Sequence, residues 1–322
     1  MQIMTKNRRL SPSAVCLAVS AAVVAASISI VAQQDSFLGR WNLTGVGQTG
    51  AYWLEISEEG GQLTGMFLNR GGNPVKLATV KIENGELFFQ GAPPQKGSAP
   101  EYRARIRNGT LEGSIKTAAR TIEFIGVRPP KWPASDANGA HRLGKPIELF
   151  DGKSMDAWDA ADKTKPLNWS VVDGAMTNTP HGNNLVSKQK FQDFTIHAEY
   201  KLENNSNSGI YLRGRYELQV LDDYGKPAGT QGHMSIYGWK APLVNASKPV
   251  GEWQTMEATV VGNRVTVFLN GQKVHDNAIL EAITGGALDA NETEPGPIMI
   301  QGDHEKVTYR KVTVTPILDA RR

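Results

Sequence analysis

Cysteine is almost missing from this chain: Cys16 is the single one in 322 residues, and it lies within the first 34. The rest therefore holds neither disulfides nor thiolate metal sites. Sustained 3.6-residue apolar periodicity is missing beyond that opening segment, which excludes a helical bundle. No HxH, HExxH or comparable ligand spacing occurs, so a dedicated transition-metal centre has little support. The glycine fingerprint of a dinucleotide-binding turn is absent too. Surplus charge is confined to one place. The formal +3 comes from 35 basic and 32 acidic residues, and Lys6, Arg8 and Arg9 supply all of the excess. After residue 34 the chain is balanced, without the basic stripe that a nucleic-acid partner needs.

Those three cations precede an uncharged run, Ala14–Ala32, rich in Ala, Ser and Val. A basic start, an apolar run and small residues near its end describe an export signal spanning residues 1–34, expected to be cleaved. The run is nearly long enough to cross a bilayer, so an uncleaved anchor is the alternative. No leucine stands three residues before Cys16, which argues against lipid attachment there. The expected location is periplasmic or extracellular, with membrane contact only through this segment.

What the chain has in abundance is turn punctuation. Asn84-Gly85, Asn108-Gly109, Asp173-Gly174 and Asn270-Gly271 each separate apolar-alternating runs, and Gly262-Asn263 marks a further turn. A short helix is expected only over 278–283. The class is all-β. Residues 36–128 carry about eight short strands, read as a small antiparallel meander or barrel. Residues 129–145, RPPKWPASDANGAHRLGK with its flanking Arg128, read as a linker rich in Pro, Gly and Ala. Residues 146–318 carry longer strands with long loops, fitting a two-sheet jelly-roll sandwich.

Within that second block, NSGIYLRGRYELQVLDD (207–223) alternates with a polar side. Ile210 and Leu212 point one way, Tyr211 and Arg213 the other; past Gly214, Glu217 and Gln219 oppose Leu218 and Val220. Such a strand pair either faces solvent or lines a ligand cleft, and spacing alone leaves both open.

Six segments in order resemble the bacterial 3-keto-disaccharide hydrolase family: LFDGKSMDAW, NSGIYLRG, YELQVLDD, YGWKAPLVNASKPVGEWQTME, NRVTVFLNGQKV and PIMIQGDHEKVTYRKVTV. The pattern departs from the commoner one at Gly229–Met234. The resemblance implies a concanavalin A-like jelly-roll sandwich over about 146–318, acting on 3-keto-glycosides by lyase/hydratase or net hydrolytic chemistry. A 3-keto group acidifies the C2 proton, so the implied chemistry needs proton carriers and a donor or cation at the enolate oxygen.

Glu217 and His304 are the implied carriers, with Asp303 beside His304 to hold one tautomer. A carboxylate mid-strand is costly to cover unless used, although an outer-face residue reads the same way. Arg213 or Lys248 is the implied charge. Asn207, Tyr211, Gln219, Asp222 and Gln301 are candidate sugar contacts, Asp222 needing a bulge to join Glu217. Tyr237 and Trp239 read either as stacking platforms or as inter-sheet core, whereas Trp158, Trp169 and Trp253 read as core. No cofactor is expected beyond a divalent cation held by loop oxygens at Asp151 or Asp222-Asp223. The rival functions are a non-catalytic carbohydrate-binding or adhesion module, and an anchored envelope protein.

Overall fold

The computed structural model describes residues 36–45, 50–68, 72–94 and 98–318. The expected export segment lies outside them. Among the described residues no helix is long and apolar enough to cross a membrane.

These residues hold 22 strands, β1 (Gly39–Gly45) to β22 (Val307–Pro316). The Asn-Gly and Asp-Gly pairs do what their chemistry dictates: Asn84, Asn108, Asp173 and Asn270 and the glycines after them all take positive φ, between 50° and 80°. Two consecutive left-handed residues match the twist of the flanking strands, so each pair closes a tight hairpin.

The first nine strands, ending at β9 (Thr121–Val127), form one antiparallel sheet. The segment read as one strand, VKLATVKI, is two: β4 (Pro74–Lys76) and β5 (Thr79–Glu83). They lie at opposite ends of the strand order. At the seam Leu77 N donates to Gly65 O (2.8 Å) and Ala78 N to Gln90 O (2.9 Å), which curls the sheet towards a barrel. Leu77 plugs an interior filled by Trp41, Leu54, Phe67, Phe89 and Phe124.

The remaining strands make a jelly-roll sandwich. Its larger sheet has eight strands and is centred on β15 (Phe194–Leu202), whose residues alternate buried and half-buried along its length. The smaller sheet runs β11 (Trp158–Ala160), β14 (Leu185–Phe191), β21 (Gly296–Ile300), β16 (Asn207–Leu212), β17 (Tyr216–Leu221). Ile210, Leu212, Leu218 and Val220 enter the inter-sheet core with Tyr200, Val260 and Val314. Unlike β15, β16 and β17 are buried on both faces, because loops and part of the barrel cover the outer one. That cover turns the polar side of 207–223 into a cleft wall.

Two expectations fail here. Residues 278–283 form no helix; Ala278 and Ile279 end β20 (Gln272–Ile279), and an irregular loop follows. Trp253 is not core: its register opposite Lys201 leaves it on the outer face of the large sheet, beneath Lys201 (5.2 Å) and Arg310 (4.4 Å). Trp158 and Trp169 are core, at 5% and 8% exposure.

Candidate functional site

The outer face of the small sheet floors an open cleft of about 850 Å³. Seven of the sequence candidates line it: Asn207, Tyr211, Glu217, Gln219, Tyr237, Gln301 and His304. Strand register explains their meeting. Tyr211 stands opposite both Glu217 and Met299, and Gln301 N donates to Gly209 O (2.9 Å), so three strands present one face.

Glu217 is 4% exposed, and its carboxyl is pushed up to about 8. Burial is the main cause; contact with the Tyr211 hydroxyl and the nearby His304 charge pull the other way. The carboxyl lies against Gly209. A Cβ added there would sit 2.4 Å from Glu217 Oε1 and 2.9 Å from its Cγ, which gives the glycine of NSGI a physical reason. Tyr211 is buried and donates to Gly285 O at 2.9 Å.

His304 ends the other wall. Its Nδ1 lies 2.9 Å from Asp303 Oδ1, and that hydrogen bond holds the imidazole above its ordinary range against partial burial. Burial acts to raise Asp303, but the His304 hydrogen bond and charge, with Asn184, bring it below the usual carboxylate range. With Asp303 on Nδ1, proton exchange by this cleft-lining imidazole falls to Nε2. Asn184 fixes this loop, its Oδ1 accepting from Gly302 N (2.7 Å) and Asp303 N (3.1 Å).

Three candidates stand elsewhere. Arg213 has φ 56° and Gly214 follows at 67°, a left-handed turn that breaks strand alternation. Arg213 is consequently buried away from the cleft, with Nε donating to Gln192 O (2.6 Å) and Nη2 to Asp193 Oδ1 (3.1 Å). Lys248 Nζ donates to Trp253 O at 3.1 Å. Asp222 Oδ2 accepts from Asn205 N at 2.9 Å and closes a turn. Trp239 does not line the cleft; it packs against the sandwich core on Trp53 of the barrel, ring centroids 5.1 Å apart.

Sequence reasoning missed the far end of the cleft. Asp162, Lys163, Lys165, Asn183 and Asn184 line it from loops with no periodicity to betray them. Asn183 Nδ2 donates to Asp162 O (2.7 Å), tying one loop to the other. As for the expected cation loops, Asp151 pairs with Lys153 (3.3 Å), and Asp223 accepts from His233 N (2.9 Å) and Asn245 (3.0 Å). Among the described residues no group of three or more His, Cys, Asp or Glu is placed to hold a metal ion.

Residues 145–315 match the model of the 3-keto-alpha-glucoside-1,2-lyase-like domain. The chain belongs to that family. A 3-keto-disaccharide hydrolase of Bacteroides thetaiotaomicron is 24% identical, the match covering 40% of this chain and 57% of that protein, so the chain spans little more than half of this relative. Two crystal structures from Parabacteroides distasonis, each provisionally named a glycosyl hydrolase, are also similar. One is 30% identical, covers 59% of this chain and 92% of its own, and has a TM-score of 0.48. The other is 20% identical over 54% and 94%, with a TM-score of 0.44. The family domain accounts for the sandwich and most of the cleft lining; the barrel lies before it in the chain.

Proposed function

We propose that this chain is an exported carbohydrate-active enzyme that cleaves 3-keto-glycosides by elimination and hydration. One observation carries the reading: a buried carboxyl held near 8 and an aspartate-held imidazole occupy a single cleft of a family domain. The name of the Bacteroides relative, a 3-keto-disaccharide hydrolase, supports the substrate class.

Neutral His304 takes the C2 proton through Nε2, and the electron pair forms the enolate at the C3 oxygen. The enolate collapses, the C1–O bond breaks, and protonated Glu217 gives its proton to the departing oxygen. Water then adds to C1 as the Glu217 carboxylate takes its proton, and His304 returns a proton to C2. The sum is hydrolysis, with both carriers restored. Arg213 and Lys248 lie outside the cleft, so stabilisation of the enolate falls to hydroxyl and amide donors there: Tyr237, Asn207, Gln219 and Gln301.

The test is incubation with 3-keto-trehalose or a 3-keto-glucoside, following released sugar and a transient enone absorbance. Release is expected, with Glu217→Gln and His304→Ala each reducing kcat at least 100-fold. The rate should fall above about pH 8 as Glu217 loses its proton. Full turnover by Glu217→Gln would remove its assigned role. Sugar binding with no release from several 3-keto-glycosides would favour a binding module instead.

A further inference from the structure

The first domain reaches into the cleft. Gly50 and Gly72, both from the barrel, form part of its wall. Gly50 N donates to Leu288 O (3.2 Å) and Ala51 N to Ala287 O (3.0 Å). Trp53 Nε1 donates to Ile283 O at 3.1 Å. The barrel thus holds one strap, residues 283–288, by three of its carbonyls. Barrel and strap also touch backbone to backbone: a Cβ on Gly285 would lie 2.6 Å from Gly72 O.

The same strap faces inward to the chemistry. Thr284 Oγ1 accepts from Glu217 N at 2.9 Å, and Gly285 O accepts from the Tyr211 hydroxyl at 2.9 Å. Just beyond the strap, Glu292 is 2% exposed and joins the two domains. Its Oε1 accepts from Asn42 of the barrel (2.6 Å) and its Oε2 from Tyr216, the residue before Glu217 (2.6 Å). A buried carboxylate is tolerated only when its oxygens are satisfied, so this contact specifies how the domains dock.

We propose that the barrel is a structural part of the reaction centre: Trp53 is a positioning residue that holds the 283–288 strap, which sets the placement of Glu217 and Tyr211, and Asn42 is one that acts on Glu217 through Glu292 and Tyr216. The proposal rests on the role given to Glu217 above. A shift of about 1 Å in a reacting group costs about 100-fold in rate, so loosened docking should be visible in turnover.

The experiment uses the full chain. Asn42→Asp sets a second carboxylate against Glu292, and the pair Asn42→Asp with Glu292→Gln restores a donor between the same positions. Circular dichroism and thermal unfolding report folding, proteolysis across 129–145 reports docking, and titration of a ¹³C-labelled Glu217 carboxyl reports its environment. Asn42→Asp is expected to lower kcat at least tenfold with a smaller change in KM. It should also move the Glu217 midpoint, and the paired variant should recover both. If Asn42→Asp does not fold, Arg40→Gln serves: Arg40 lies over Trp239 (4.9 Å) and Trp53 (5.2 Å) at the edge of the same contact. A folded variant that is readily cut in 129–145, yet keeps wild-type kcat and Glu217 midpoint, would overturn the proposal. Should the wild type leave 3-keto-glycosides untouched, the functional reading fails, while the Glu217 titration still decides the role of the barrel.

Discussion

Two side chains set the character of the cleft, and each is shaped by a neighbour that sequence spacing does not relate to it. Glu217 has room because Gly209 on the adjacent strand has no side chain. Gly209→Ala should push the carboxyl aside and cost about 10- to 100-fold in kcat and about 1–3 kcal/mol in stability, read from steady-state kinetics beside thermal unfolding. Burial of Glu217 also bears on stability. A carboxyl raised to about 8 keeps its proton in the folded chain after the unfolded chain has released it, so stability falls as pH rises from about 4.5 through 8. Glu217→Gln removes that loss. Denaturant titrations should find the variant more stable than the parent by about 2–5 kcal/mol at pH 9, with the gap closing below pH 4.5.

Among the elements, the β16–β17 hairpin is the informative one, since its two arms place chemistry and its turn places structure. Alternation carries correctly across Tyr211, Glu217 and Gln219. It fails at Arg213 because a left-handed turn resets the direction of the side chain. There Arg213 and Asp193 form an ion pair with both partners buried, and Asp193 Oδ1 also accepts from Gly262 N at 2.8 Å. Removing one partner strands the other charge. Asp193→Ala should therefore destabilise the chain by about 3–5 kcal/mol in urea unfolding. Its kcat on a 3-keto-glycoside should stay within twofold of the parent, the result that separates a structural arginine from one that holds an enolate.

For the molecule as a whole, the barrel and the sandwich share apolar packing. Ala51, Trp53 and Leu68 of the first domain belong to the core of the second. Segments that bury one another's side chains unfold together. Calorimetry of the chain should give one transition, and Trp53→Ala should split it in two by removing the stack on Trp239 and the bond to Ile283. A single unsplit transition in that variant would mean the remaining contacts suffice to couple the domains.

Class, hairpins and the order of the family segments were legible in the sequence, because these rest on local rules. Asn-Gly pairs impose a turn wherever they stand, and alternation assigns faces residue by residue along a regular strand. It brought Glu217 and His304 forward, yet left Glu217 balanced between solvent and cleft, since burial depends on what covers the sheet. That cover, and with it the exclusion of Arg213, Lys248 and Asp222, came from tertiary packing. It alone also joined Trp53 to Ile283 and Asn42 to Glu292, pairs 230 and 250 residues apart. No local pattern encodes such contacts; they follow from how two finished domains fill each other's surface.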